Sequence, residues 1–188
     1  MILGECLVIK KRIQKVLWTD SSNVYLYGST IKYLEHNRVF FENLRFSTGK
    51  TIKKWLSKTN FQANRTLPEL TLLKPNHTYE LVSKLTTVPE GCVIIQINFY
   101  NRQKEKIGFS IIRDHSSDFI VPDDTYFYDI SLIGAGCISV EFCYLELFEV
   151  IETQEEKDGI ELNSYVESSL PSELELIRTL IAFSKDKK

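Results

Sequence analysis

The sequence predicts an all-β fold built as an antiparallel β-sandwich. Apolar and polar residues alternate along several short segments, which is the period of a half-buried strand. Turn signals rich in glycine, proline and asparagine separate these segments, and aromatic and β-branched residues dominate the middle of the chain. The 188 residues suit one domain with a tail, and we place the sandwich in residues 1–151.

The first third of the chain carries the weaker strand signals. Four short strands are predicted between polar turns: Gln14–Trp18, Val24–Tyr27, Thr30–Leu34 and Val39–Phe41. The stretch Leu56–Leu73 follows neither a helical nor a strand period and contains Pro68. We therefore predict that it is an irregular segment that crosses the sandwich.

The middle of the chain carries the clearest alternation. Cys92–Asn101 has one apolar and one mixed face, and Ile107–Ile111 resumes the pattern after a polar turn. This spacing predicts a β-hairpin. An earlier strand is predicted at Tyr79–Leu85 and a later one at Tyr126–Leu132.

The last predicted strand changes its phase. Apolar residues occupy every second position over Ile138–Tyr144, and Leu145 and Leu147 then take over as the apolar positions. A slip of one residue predicts a β-bulge near Tyr144, because the period of side-chain direction in a strand is two.

The composition changes after Ile151. Acidic residues over 152–170 predict a linker, and residues 171–188 predict an amphipathic C-terminal helix that begins with a capping box at Ser172 and Glu175. Because the linker separates this helix from the sandwich, we interpret its apolar face as a partner-binding surface. The alternative is that the helix packs on its own sandwich.

Charge and composition exclude several classes of function. The net charge of −2 provides no overall field for nucleic acid. No stretch approaches the roughly 18 apolar residues of a membrane-spanning helix, so we predict no integral membrane segment. The N-terminus lacks the charge order of a signal peptide, and the four cysteines form no CxxC pair. We therefore expect a cytoplasmic protein with free thiols.

No catalytic or metal-binding set is evident in the sequence. The three histidines are scattered near predicted turns, and Asp114–Asp118 is interpreted as a solvated loop because no nucleophile elbow accompanies it. Acidic residues over Asp118–Asp129 match no known calcium loop. We predict no catalytic residue, no metal and no cofactor. Four aromatic side chains could stack on a sugar or belong to the core: Trp55, Tyr100, Tyr126 and Tyr128.

Two motifs carry a resemblance to a known family. Val24–Tyr33 contains Leu-Tyr-Gly-Ser, and Trp55 and Ser57 form a W-x-S element. Together they are similar to the third member of the Asp series of accessory Sec system proteins, over roughly residues 17–151. The resemblance implies a jelly-roll sandwich like that of carbohydrate-binding modules, without enzymatic activity.

The resemblance also implies a function. Such a protein is a non-catalytic adaptor or chaperone subunit that binds two sister proteins of the series. With the accessory Sec motor ATPase it serves the export of a serine-rich-repeat glycoprotein, whose preprotein it contacts. It would lie in the cytoplasm, at the membrane periphery through its partners. The alternative function is that of a carbohydrate-binding module recognising glycans on the adhesin.

Predicted partner-binding residues come from the two motifs, the crossing segment and the C-terminal helix. They are Tyr25, Tyr27, Trp55, Arg65, Pro68, Leu174, Ile177 and Ile181. Trp and Arg are frequent interface anchors, but a buried Trp with a paired Arg would fit the same residues equally well. For Trp55, therefore, a place in the core is the open alternative.

Overall fold

Ten β-strands make up the regular structure that a computed structural model describes for residues 7–58 and 68–153. A single 3-10 turn at Glu35–Asn37 accompanies them. The strands are β1 (Leu7–Val16), β2 (Thr30–Tyr33), β3 (Val39–Glu42), β4 (Thr51–Leu56), β5 (Thr78–Val88), β6 (Val93–Tyr100), β7 (Lys106–Ile112), β8 (Ser116–Ile120), β9 (Phe127–Gly134) and β10 (Ser139–Thr153).

The strands form two antiparallel sheets over a shared core. One sheet has the order β2-β3-β10-β5-β8, with β1 also paired to β10, and the other has the order β4-β9-β6-β7. Aromatic rings from the two sheets meet: Trp55 of β4 lies 5.3 Å from Phe142 of β10, and Phe99 of β6 lies 6.1 Å from Phe119 of β8. The predicted all-β, antiparallel fold is confirmed.

The strands with the strongest alternation are found where they were expected. β6 and β7 pair as a hairpin with Ile97 opposite Ser110, while β5 and β9 cover the two neighbouring predictions. In β5, β6 and β9 one apolar face is buried, so the sequence pattern reports directly on the fold. In β7 the alternating residues Ile107, Phe109 and Ile111 are exposed, and only Ile112 is buried.

The predicted bulge in the last strand is also confirmed. Phe142 pairs with Leu85 and Tyr144 pairs with Lys84, so Cys143 is an extra residue in β10. Four apolar side chains before and after it are fully enclosed in the core: Val140, Phe142, Leu145 and Leu147. Without the bulge, the second pair would face away from the core.

Two predictions in the first third were wrong. Val24–Tyr27 is not a strand, because only Val24 forms a bridge, to Lys53, before the chain turns. The strand predicted at Gln14–Trp18 begins earlier, at Leu7, and ends at Val16. The lysines and arginine of β1 obscured it, because a strand with exposed side chains shows no apolar alternation.

Two further strands were missed. In β4, a bulge between Thr51 and Lys53 places two adjacent buried residues, Ile52 and Lys53, where alternation would be expected. β8 is a short edge strand in which Phe119 alone is buried, so the prediction of a solvated loop at Asp114–Asp118 was wrong for its second half. Edge strands are often short and polar, and their signal is correspondingly weak.

The chain divides into two units. One of them, Val8–Glu152, contains the two sheets. The predicted linker and C-terminal helix, with Leu174, Ile177 and Ile181, lie outside the described residues, as does Arg65. Those assignments stay predictions.

Trp55 lies in the core, the alternative left open by the sequence. Its side chain is 0% exposed, and its indole Nε1 donates a hydrogen bond of 3.0 Å to the Leu17 carbonyl. The ring of Trp18 lies 6.4 Å away in an edge-to-face arrangement. Trp55 therefore joins the two sheets and is not offered to a partner in this structure.

We expect Trp55→Ala to lower the free energy of unfolding by about 3–5 kcal/mol, because it removes a large buried ring and leaves a cavity. Urea denaturation measures the loss. Tyr27→Ala, at an exposed position, is the control and should stay within about 0.5 kcal/mol of the unsubstituted protein. Equal stabilities for the two variants would contradict the core assignment.

Candidate protein-binding site

The Leu-Tyr-Gly-Ser motif forms an exposed β-turn. The Ser29 amide donates to the Leu26 carbonyl at 3.2 Å, and Gly28 has φ 67° at the third position, where a type II turn favours glycine. The two side chains before the glycine are largely in solvent: Leu26 is 59% exposed and Tyr27 is 85% exposed. Exposed apolar side chains of this size are candidates for contact with another protein.

Asn43, directly after β3, holds this turn in place. Its Nδ2 donates to the Tyr27 carbonyl at 3.0 Å and to Ser29 Oγ at 2.9 Å. Its Oδ1 accepts from the Arg45 amide at 3.0 Å, and the side chain is buried. The following residue, Leu44, is 78% exposed. Asn43 thus joins the turn that carries Leu26 and Tyr27 to the segment that carries Leu44, and we call these three exposed residues the turn patch.

Tyr25 belongs to the support of the turn patch. Its ring packs edge-to-face on Phe46 at 5.1 Å, and Phe46 packs on Phe41 at 5.7 Å. Its amide donates to the Ile52 carbonyl at 2.9 Å. The structure therefore separates two residues that the motif placed together, since Tyr25 is half-buried while Tyr27 is exposed.

The buried ammonium of Lys53 connects two irregular segments, one at Asp20–Ser22 and the other at Glu69. Its Nζ donates to the Ser22 carbonyl at 2.8 Å and to Glu69 Oε1 at 3.0 Å, and it pairs with Asp20 Oδ1 at 3.3 Å. Partial burial of Asp20 opposes its ionisation, but hydrogen bonds from Ser22 and the charge of Lys53 outweigh this and lower the pKa of that carboxyl. A buried charge needs partners of this kind. Pro68, one residue before Glu69, is exposed.

Among the described residues, Trp55 and Pro68 do not join the turn patch, and the site has two elements that were missed: one member of the patch, Leu44, and its support, Asn43. Trp55 is in the core, and neither Leu44 nor Asn43 was among the predicted partner-binding residues. The sequence feature that could have indicated Leu44 is its position as a large apolar residue directly after an asparagine at the end of a strand. That signal is weak, because single exposed leucines are common.

A polar cluster lies on the face of β4, β9 and β6 that points away from the core. Asp129 Oδ1 accepts from Asn98 Nδ2 at 2.8 Å and from Ser131 Oγ at 3.0 Å. Asp129 Oδ2 accepts from the Tyr100 hydroxyl at 2.8 Å and from Lys54 Nζ at 3.5 Å. Four donors therefore occupy the carboxylate, which suits a structural anion better than a general base.

Two of the four candidate sugar-stacking aromatics, Tyr100 and Tyr126, lie outside the core, and the Tyr126 amide donates to the Tyr100 carbonyl at 2.8 Å. Trp55 and Tyr128 are enclosed in the core. Tyr100 bonds Asp129 and stacks on Phe127 at 4.7 Å, and Tyr126 is exposed. Tyr128→Ala would therefore test the core, whereas Tyr126→Ala removes an exposed ring and tests a surface.

Burial, helped by the hydrogen bond to Asp129, raises the pKa of Tyr100 to about 12. A phenol whose pKa is higher in the folded state than its ordinary value of 10.0 stabilises the fold below about pH 10 and loses that contribution as pH rises towards 12. We expect Tyr100→Phe to lose less stability than the unsubstituted protein between about pH 10 and 12, measured by thermal denaturation.

Asp129→Asn should lower the pKa of Tyr100 in an ultraviolet titration, whereas an unchanged titration would contradict the coupling.

Among residues 7–58 and 68–153, no helix has the length and apolar character needed to cross a membrane. Within the same ranges, no group of three metal-binding side chains converges on one point.

Comparisons with known proteins agree with the resemblance. The family model for the accessory Sec secretory system ASP3 matches residues 24–149. The accessory Sec system protein ASP3 of Streptococcus gordonii is 35% identical over 134 residues, which are 71% of this chain and 84% of that protein. The similarity therefore extends far beyond the two motifs.

Solved structures give the same result. A chain in the crystal structure of accessory secretory proteins 1, 2 and 3 of Streptococcus pneumoniae has a TM-score of 0.70 and 31% identity, over 76% of this chain and all of that one. A chain of the Glycosylation Associate Protein (Gap123) complex from Streptococcus agalactiae has a TM-score of 0.67 and 34% identity, over 75% of this chain and 44% of that one. Because the family model covers residues 24–149 and the Streptococcus gordonii relative is 35% identical over most of its length, this chain belongs to the accessory Sec secretory system ASP3 family.

Proposed function

We propose that this protein is a non-catalytic adaptor in accessory Sec export and that it binds sister proteins of the same series through the turn patch. The observation that carries the proposal is the pair of exposed apolar side chains, Leu26 and Tyr27, held on a buried asparagine. Two similar chains were solved in assemblies whose names include the other members of the series, which supports partners of that kind.

The energetics suit an interface. Fully burying a large apolar side chain stabilises a complex by about 1.5–3 kcal/mol, and tyrosine is enriched among the residues that dominate binding energy. Because Asn43 fixes the backbone of the turn, the entropy lost on binding is mainly that of the exposed side chains.

Other features support the absence of catalysis and a reducing compartment as parts of the proposal. The Asp129 carboxylate is fully engaged by its four donors, so it has no free position for a reacting proton. Cys92 and Cys137 are buried free thiols, and burial raises the pKa of Cys137 well above its usual value. We further propose that the protein lies in the cytoplasm, where it acts with the accessory Sec motor ATPase and contacts the adhesin preprotein.

Tyr27→Ala tests the proposal in binding to the two sister proteins. We expect at least a tenfold rise in the dissociation constant, measured by titration calorimetry, because an anchoring tyrosine is removed. Tyr126→Ala, at another exposed tyrosine, is the matched control and should bind normally. Normal binding by Tyr27→Ala, with unchanged thermal stability in both variants, would refute the role of the turn patch.

A further inference from the structure

A cleft of about 530 Å³ lies beside the second half of β5. None of its lining residues belongs to the turn patch. Both sheets contribute to its walls, which is the setting of many ligand sites. One part of its lining comes from β5, including Leu85 and Thr87, and another comes from β6 and β7, including Ile95 and Ile112.

One wall of the cleft is an open strand edge. β10 pairs with β5 from Thr78 to Val88, but β8 covers the opposite edge of β5 only from Thr78 to Val82. The pairing with that side ends at the Ser83 amide, which donates to the His115 carbonyl at 2.7 Å.

The main-chain groups beyond Ser83 are placed to accept another strand. Successive residues of a strand direct their amides to opposite edges, so Leu85 and Thr87 present N–H and C=O groups to the same side as Ser83. Within the described parts of the chain, no backbone group pairs with these two residues on that side. Unpaired edge groups of this kind readily pair with another chain.

The inner wall and the rim define the chemistry of an occupant. Leu85, Val93, Ile95 and Ile112 give an apolar inner wall. Glu90 and Asp114 oppose Arg113 in formal charge at the rim, beside His115, so the mouth favours neither a strongly acidic nor a strongly basic segment. An uncharged chain fits both surfaces.

We propose that this cleft binds an extended, uncharged polypeptide segment, which adds to β5 as a strand in line with β8. The inference rests on the proposed export function, for which it specifies the binding site of a serine-rich preprotein segment. At about 3.3 Å per residue, the edge from Lys84 to Val88 spans roughly 17 Å, enough for about five residues of an added strand. Main-chain hydrogen bonds then provide affinity without requiring distinctive side chains.

A single extended chain suits the cleft better than the sheet edge of a folded domain. The free edge is short, and walls from both sheets enclose it, with Arg113–His115 on one side and Glu90–Gly91 on another. A folded sheet would bring its neighbouring strands against these walls, whereas a single strand needs only the edge of β5 that β8 does not cover.

The direct test uses the unsubstituted protein and a fluorescent peptide of alternating serine and alanine. We expect saturable binding by fluorescence anisotropy. In amide exchange followed by NMR, the peptide should slow the exchange of Leu85 and Thr87, while Lys84 and Thr86, whose amides face β10, keep their rates. An absence of binding, or binding without protection of Leu85 and Thr87, would overturn the proposal.

A pair of variants at one position provides the second test. Thr87→Pro removes the free edge amide at a place where an edge strand tolerates proline, and Thr87→Val keeps that amide and the side-chain shape. We expect about tenfold weaker peptide binding for Thr87→Pro and a change of less than about twofold for Thr87→Val. Equal losses would assign binding to the hydroxyl group and contradict strand addition.

The two proposals fail separately. Thr87→Pro should keep its affinity for the sister proteins, and Tyr27→Ala should keep its affinity for the peptide. If the peptide fails to bind while Tyr27→Ala weakens sister-protein binding, the cleft proposal falls and the adaptor function stands. If the sister proteins themselves protect Leu85 and Thr87, the cleft is part of their interface and the peptide assignment is wrong.

Discussion

The extra residue at Cys143 is the constraint on which the larger sheet depends. β10 lies in the middle of that sheet and pairs with β1, β3 and β5. Its first half directs Phe142 against Trp55 of the other sheet, and its second half must also face the core. A regular strand with the same sequence would turn one of these halves away from the core. The bulge restores the phase at the cost of one unpaired position, and the core on both sides of it stays continuous.

Both proposed binding surfaces are attached to partners of β10. β3 pairs with its first half and ends at Glu42, directly before Asn43, whose side chain fixes the turn that carries Tyr27. β5 pairs along nearly all of β10, so it is held firmly even where β8 leaves its other edge open. An open edge is useful for recognition only if the strand is held from the other side. The central strand therefore supports a side-chain surface and a main-chain surface at once.

Polar contacts fix the irregular parts between the sheets. Lys53 lies at a bulge of its own in β4, which turns its side chain inward to meet Glu69 of the crossing segment. Gln14 adds to this, since its Nε2 donates to the Glu69 carbonyl at 2.8 Å. Tyr128 donates from its hydroxyl to the Thr71 carbonyl at 2.7 Å. Loops whose backbone groups are satisfied in this way can present exposed residues without losing their shape.

The amino-acid pattern alone determined the all-β class, the β6–β7 hairpin and the phase slip in β10, because each depends on the alternation of apolar and polar residues along a strand. The motif pointed to Tyr27 but could not separate it from Tyr25 or Trp55, since an aromatic residue suits a core and an interface equally. Folding decided which of them is exposed. It also decided that Asn43 meets the turn, that Lys53 is buried and that β5 has an open edge. These features join residues distant in the chain, and no local period encodes which strands become neighbours.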